Sequence, residues 1–373
     1  MDMPADHKTA RNAFTLVEML VVIVIIGILV GLTAAALGPA RRAARNAAVN
    51  AEIKQLDMDL QNYRNEFGEL PPTFIDVNIV VEQPSNPLGP TLQADARNAV
   101  IRHLRKAFPR YVPGQIRGRT GAFPPNTNPN PDGLPDNLDG TGGPYDGFAN
   151  DVWYAYNRTI DPRLFDPASA LVFWLGGLPE QVPAVGGQWI PAGFHSDPQM
   201  PFKPGTPRKQ PLFEFKAERI VLEEMHYSIP WDNASPPTTR YLRYYPDKVE
   251  APYVYFKARR RGANWQYGAE LDAKPNPTYV PYAYFHSLVA DNLDTMNICV
   301  AYRDPQSPPF WRNYDTYQII AAGLDGQFGK TPPKDANGIA VYRVTKTAVN
   351  FSDDDRNNLA NFCEAATLED EIE

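Results

Sequence analysis

The apolar positions of this chain change rhythm along its length. Residues 14–37 are apolar almost without interruption, from Phe14-Thr15-Leu16-Val17-Glu18 to Ala34-Ala35-Ala36-Leu37, and Glu18 is their one ionisable side chain. Next, Val49, Ile53, Leu56, Leu60, Tyr63 and Phe67 recur at alternating steps of four and three, with Arg41, Arg45, Lys54, Asp57 and Arg64 largely off that line. The first stretch predicts a helix rising about 36 Å, longer than the roughly 30 Å hydrocarbon core of a bilayer, so it can span with some tilt. The second predicts an amphipathic helix with one buried stripe. Gly38-Pro39 between them predicts a kink. Gly68 suits the C-cap, and Pro71-Pro72 forbids continuation.

Further on the pattern is shorter-ranged. Residues 92–108 place Ala96, Val100, Leu104 and Phe108 on one helical face, with Arg102, Arg105 and Lys106 near the C-terminal end, where they suit the helix dipole. Asp166-Pro167 opens a short helix through Ala170, Phe173 and Trp174 to Gly176-Gly177. Phe213-Glu214-Phe215-Lys216 and Tyr253-Val254-Tyr255-Phe256-Lys257 carry the alternating or clustered aromatics of strands. Arg259-Arg260-Arg261-Gly262 reads as a solvated turn, or as a contact for anionic lipid or sugar. Tyr317 to Ala322 reads as a strand running into Gly323-Leu324-Asp325-Gly326, whose Asp-Gly suits a tight turn.

Composition narrows the class. The chain has 373 residues, of which 43% are hydrophobic, which fits one span and a folded remainder rather than a polytopic membrane protein. The net charge of −7 argues against nucleic acid as a bulk partner. Proline, at 38 residues, is about twice its usual share, and 25 Gly accompany it, which predicts loops and short strands. The 2 cysteines, Cys299 and Cys363, allow one bridge or two isolated thiols. The 5 histidines (His7, His103, His195, His226, His286) show no ligand spacing, and no nucleotide loop, zinc pattern or nucleophile elbow occurs. No catalytic set is expected. Residues 124–147 hold Asp132, Asp136, Asp139 and Asp146 in a Pro, Asn and Gly-rich loop. That composition favours a solvated loop, with a hard-cation site as the alternative.

Within the membrane stretch, Glu18 is the candidate functional residue. A charge at a helix centre costs about 2.5–3.5 kcal/mol on insertion scales, and less near the membrane end. The plain alternative is a carboxylate at headgroup level in a simple signal anchor. Ahead of the stretch, residues 1–13 carry Lys8 and Arg11, and the small residue Ala13 precedes the apolar core rather than following it. Cleavage at Ala13–Phe14 would therefore leave the helix on the mature protein.

This string resembles the class III signal of type IV prepilins and of the pseudopilins of type II secretion. The resemblance implies a dedicated prepilin peptidase that cuts before Phe14 and methylates the new amino group. It also implies an assembly role for Glu18, the fifth mature residue, paired with the α-amino group of Phe14 in a neighbouring subunit to fix axial register. Ala13 stands where that family usually has Gly. Tyr63…Phe67-Gly68-Glu69-Leu70-Pro71-Pro72-Thr73 is also similar to the helix-to-head transition of the major pseudopilin. So is the C-terminal pattern, Gly323-Leu324-Asp325-Gly326 followed by Asp353-Asp354-Asp355 and Asn361-Phe362. There the resemblance implies a bound Ca²⁺, with Asp325, Asp353, Asp354 and Asp355 as candidate ligands. The alternative is a hairpin turn and an N-cap for a short final helix.

The resemblance implies an α+β fold: a long N-terminal hydrophobic helix packed on a C-terminal head with a mainly antiparallel β-sheet. Its parts are a leader (1–13), a transmembrane half-helix (14–37), an amphipathic half-helix (38–68) and an extracytoplasmic head (69–373), with about 74–249 as an insertion. The expected role is structural and non-enzymatic. Subunits held in the bacterial inner membrane, head in the periplasm, would join other pseudopilin subunits in a filament that supports protein secretion. The rival readings are a membrane-anchored surface or cargo-binding protein, with the inserted middle as its binding module, and a signal-anchored enzyme.

Overall fold

In the computed structural model, helix α1 runs unbroken from Leu16 to Phe67 with Pro39 inside it. Gly38-Pro39 therefore interrupts the hydrophobic rhythm without ending the helix. The structure describes residues 15–74, 89–114, 144–155, 162, 165–182, 188–225, 239–261, 264–270, 279–281, 283–287, 297–302, 312–329, 355–363 and 367–368. Ala13, Phe14, Asp353, Asp354 and most of the acidic loop at 124–147 lie outside them. The chain divides into two compact units, Met1–Arg45 and Asn46–Glu373.

In the first unit the described chain is helix alone. Leu16, Val17, Met19, Leu20 and the aliphatic residues that follow to Leu37 are all exposed large hydrophobics. The helix holds an 18-residue window of mean hydropathy 3.0, none of it buried within the protein. In water such a surface is unfavourable by about 25 cal/mol per Å², so it requires another apolar medium.

The second unit is α+β. Its amphipathic stripe is buried as the spacing predicts: Val49, Ile53, Leu56, Leu60 and Tyr63 are all nearly inaccessible, and Phe67 packs partly exposed against the same core. The helix stops where Gly68 takes a positive φ of 79°, a conformation that costs glycine little, and the Gly68 N–H donates to the Arg64 carbonyl at 2.8 Å. Among the described residues three more α-helices follow: α2 (Gly89–Ala107), α3 (Pro144–Ala155) and α4 (Pro167–Gly176). Asp166 caps α4, as its position before Pro167 predicts. Its Oδ1 accepts from the Ser169 N–H at 2.8 Å, while its Oδ2 accepts from buried Arg243. Asp166 and Arg243 are both buried, so this ion pair is held inside the core.

The strands are β1 (Pro179–Val182), β2 (Gln188–Pro191), β3 (Ile220–Met225), β4 (Thr239–Tyr244), β5 (Val254–Lys257), β6 (Arg259–Arg261) and β7 (Asn264–Gln266). They continue as β8 (Gly268–Glu270), β9 (Tyr279–Pro281), β10 (Ala283–Ser287), β11 (Asn297–Val300), β12 (Tyr317–Ala321) and β13 (Leu359–Ala360). Every named pair is antiparallel. Most form two-stranded ribbons, and β13-β12-β5 form a three-stranded sheet. That sheet is buried on both faces and separates two cores. Alternation sends Tyr317, Ile319 and Ala321 of β12, Tyr255 of β5 and Leu359 of β13 into the core that holds the α1 stripe. It sends Ile320, Val254, Phe256 and Ala360 into a second core with Cys299, Tyr302 and Phe328.

Three expectations change. Phe213 and Phe215 form no strand. Both rings are buried against Tyr244, with centroids 5.6 and 5.0 Å away, so the alternation reflects aromatic packing instead. Arg259–Arg261 is a strand, paired with Asn264–Gln266, and not a turn. Leu359 and Ala360 extend the sheet and do not start a helix. Cys299 is buried, Cys363 is partly buried, and both are free thiols. The described residues of 74–249 contribute to the core that holds the α1 stripe.

Candidate functional sites

The first site is the start of α1. Thr15 is its cap, and the Thr-Leu-Val-Glu spacing makes a capping box. The Thr15 N–H and hydroxyl both donate to Glu18 Oε2, at 2.8 and 2.9 Å, and the Glu18 N–H donates back to Thr15 Oγ1 at 3.2 Å. The carboxylate thus has a local job, satisfying backbone donors that an apolar medium cannot. The residue pattern Thr-x-x-Glu carried this signal, and the charge in an apolar run had obscured it.

The second site is the C-terminal loop. The turn after β12 closes with the Gly326 N–H donating to the Gly323 carbonyl at 3.0 Å, and Gly326 has a φ of 71°. Asp325 is exposed. Its Oδ1 accepts from the Gln327 N–H at 3.0 Å and its Oδ2 from Asn357 Nδ2 at 2.7 Å. Asn358 is buried, accepts from the Gly323 N–H at 3.1 Å and donates to the Phe328 carbonyl at 2.9 Å. Asp355 is 1% exposed, with the Tyr302 hydroxyl 3.3 Å from its Oδ1. The fit is tight: a Cβ on Gly323 would sit 2.1 Å from Asn357 Oδ1.

The structure therefore brings Asp325 and Asp355 into one loop cluster through Asn357 and Asn358. The loop's oxygens include a buried carboxylate (Asp355), an exposed one (Asp325), and Asn357 Oδ1, which is buried without a hydrogen-bond donor. Among the described residues no group of three or more His, Cys, Asp or Glu is gathered for a metal.

A third cluster was not foreseen. His103 on α2 is buried, with Nδ1 2.7 Å from Glu69 Oε1 and Nε2 2.7 Å from the Tyr63 hydroxyl. A carboxylate only accepts, so Nδ1 carries the proton and Nε2 accepts from Tyr63 in the neutral ring. Burial pushes the His103 pKa down, and its hydrogen bond to Glu69 opposes that only in part. The same bond is the main reason that Glu69 is lowered to about 2. The relay joins α1, the Gly68 turn and α2. About three turns earlier on α1, Glu52 accepts from Arg219 Nη1 and the Tyr244 hydroxyl, each at 2.8 Å, and from Tyr253. The partners in the two clusters lie 34 to 201 residues apart, a separation that no local motif reveals.

A family model described as the prokaryotic N-terminal methylation motif matches residues 8–34. No curated protein and no solved structure matches the chain. The match covers the last six residues before Phe14, then Glu18 and the apolar helix as far as Ala34. The chain thus carries a class III prepilin-type signal, which implies processing by a prepilin peptidase and pilin-like assembly. Among the described residues one helix, at the N-terminal end, is long and apolar enough to cross a membrane, which together with the signal fits a membrane-anchored, single-pass protein.

Proposed function

We propose that the chain is a structural subunit of a type II secretion pseudopilus, or of a closely related type IV pilus-like filament. The observation that carries this is the methylation motif at residues 8–34, continued by an apolar helix with no cover of its own. In this reading the peptidase cuts between Ala13 and Phe14 and methylates Phe14. The apolar half of α1 serves first as a bilayer anchor and then as the filament core, the head stands in the periplasm, and the role is non-enzymatic. One subunit contacting the next head to tail yields an open helical filament.

Glu18 then has two roles in succession. In the isolated subunit it caps its own helix. In the filament it faces the methylated amino group of a neighbour, because a carboxylate in an apolar core requires a positive partner. Substitution separates these roles. Gln retains the capping box but carries no charge, whereas Ala loses both. Glu18→Gln is expected to insert into the membrane and be methylated, yet to enter filaments poorly. Sheared-filament fractions and intact-mass spectrometry of the mature N-terminus report the two steps. Normal filament entry by Glu18→Gln would exclude charge pairing. An uncleaved Met1 chain in the filament would overturn the whole reading. A methylated wild-type chain that never leaves the membrane would favour an anchored surface or cargo-binding protein.

The C-terminal loop is proposed to take Ca²⁺, with Asp325, Asp355 and Asn357 Oδ1 among the donors and Asp353 and Asp354 as further candidates. The buried Asp355 carboxylate and the amide oxygen without a donor support this. A bound cation would pin the loop against β12 and so couple folding to calcium outside the cytoplasm.

A further inference from the structure

Arg41, Arg42 and Arg45 are the charged residues between Glu18 and Glu52, and no acidic residue accompanies them. All three lie within helix α1 and are exposed. Ala40, Ala43 and Ala44 flank them with side chains too short to cover a guanidinium. No acidic residue stands three or four positions from any of them, so the helix itself supplies no ion pair. Among the described residues none of the three has a hydrogen bond or an ion pair. The chain as a whole carries −7, so this cationic patch is a local exception.

The apolar run sets where along the helix these charges fall. From Leu16 to Leu37 the helix rises about 32 Å, close to the roughly 30 Å hydrocarbon core of a bilayer. Arg41 follows Leu37 by about 6 Å, and Arg45 by about 12 Å. The headgroup region is about 5–8 Å deep on each side of the hydrocarbon. An arginine stem can lie along apolar surface and carry its charged end back to that depth. At about 3.6 residues per turn the three fall within one arc of about 100°, so they address the same patch of membrane surface. Topology does not account for them. Lys8 and Arg11 precede the run, and with the head outside the cytoplasm, as proposed above, the bias of basic residues toward the cytoplasmic side opposes three more at the far end.

We propose that Arg41, Arg42 and Arg45 form a binding surface for the phosphate headgroups of anionic phospholipids, in the leaflet remote from the leader. The proposal rests on the membrane-anchored reading of α1. Guanidinium forks pair with phosphate oxygens, and basic residues next to a membrane-spanning helix are drawn to anionic lipid. The contact fixes the depth at which the helix sits. A subunit stored in the membrane then resists outward sliding until the arginines release their lipids. Glu18 marks one end of the apolar run and the arginines mark the other.

Electron spin resonance of the full chain reconstituted in phosphatidylcholine vesicles tests this, with trace spin-labelled phosphatidylglycerol or spin-labelled phosphatidylcholine as the probe. Lipid in contact with a spanning helix gives a motionally restricted signal, and its size compares the two lipids. Phosphatidylglycerol is expected to associate about fivefold more strongly, the scale on which one basic residue attracts an anionic surface. High salt is expected to weaken that preference. The combined variant Arg41→Gln, Arg42→Gln, Arg45→Gln is expected to lose it. Glutamine resembles arginine in helix propensity and all three positions are exposed, so the helix is kept. Lys54→Gln, exposed further along α1, is expected to leave the preference unchanged. Restricted lipid with no preference for phosphatidylglycerol, or a preference that survives the combined variant, would overturn the surface and leave the anchor standing. No restricted lipid of either kind would show that the helix does not span, and the anchored reading would fall with it. No preference, together with loss of the combined variant from filaments, would assign the arginines to acidic groups of a neighbouring subunit instead.

Discussion

At the residue scale, the polar groups within the second unit act as fasteners between segments distant in sequence. His103 shows this best, because its state fixes those of Tyr63 and Glu69. Its folded pKa lies below the ordinary value of 6.5, and that of Glu69 lies at about 2 against 4.5. Both shifts act in the same direction. Unfolded, each group takes up a proton at a higher pH than it does in the fold. Stability is therefore complete above about pH 6.5 and falls on acidification, first as His103 protonates in the unfolded chain, then from about 4.5 toward 2 through Glu69. Urea midpoints at about pH 7.5, 5.5 and 3.5 are expected to decline in that order. Glu69→Gln is expected to remove most of the decline in the lower window. Midpoints independent of pH across this range would mean that the neutral relay is wrongly assigned.

At the element scale, α1 does two different things with one secondary structure. Up to Leu37 its apolar residues surround the axis, and from Val49 they are confined to one face. The consequence is asymmetric tolerance. Leu60→Ala, at a fully buried stripe position, is expected to cost about 2–5 kcal/mol of stability. Met58→Ala, on the exposed face of the same turn, is expected to change it by less than about 0.5 kcal/mol. Denaturant unfolding of both variants checks this, and equal costs would show that the stripe is not the packing face. The stripe was legible in the sequence because helical period and burial coincide there. So were the Asp166 cap and the Gly68 stop, since each depends on residues within four positions. The Phe213-Glu214-Phe215 alternation misled because aromatic clusters and strands can share a period of two. Arg259–Arg261 misled because a strand partner a few residues ahead outweighed the solvation of three charges. The His103 relay and the Glu52 cluster were illegible for a different reason. Each is assembled from α1 and segments far along the chain, and only the fold makes them neighbours.

At the scale of the whole molecule, the two units have opposite relations to water. Unit Asn46–Glu373 contains both hydrophobic cores, whereas the exposed apolar surface from Leu16 to Leu37 belongs wholly to the other. A fragment beginning at Asn46 should therefore be soluble without detergent and melt cooperatively, because it keeps every buried stripe residue from Val49 onward. Its failure to fold would show that the first unit stabilises the second. The same fragment tests calcium without any dependence on membrane or filament. Calcium sites of extracellular modules bind at about 10⁻⁴ to 10⁻³ M, so on that scale roughly 10 mM CaCl₂ would be 10 to 100 times the dissociation constant. Ligand linkage then gives about 1.4 to 2.7 kcal/mol, enough to raise the melting temperature by a few degrees. Equal MgCl₂ is expected to do less, since Mg²⁺ gives up its water reluctantly and demands stricter geometry. Asp355→Asn is expected to abolish the calcium increment. A folded fragment whose melting is the same in EGTA and in CaCl₂ would leave the loop held by Asn358 and the sheet alone, and the cation would have no place in it.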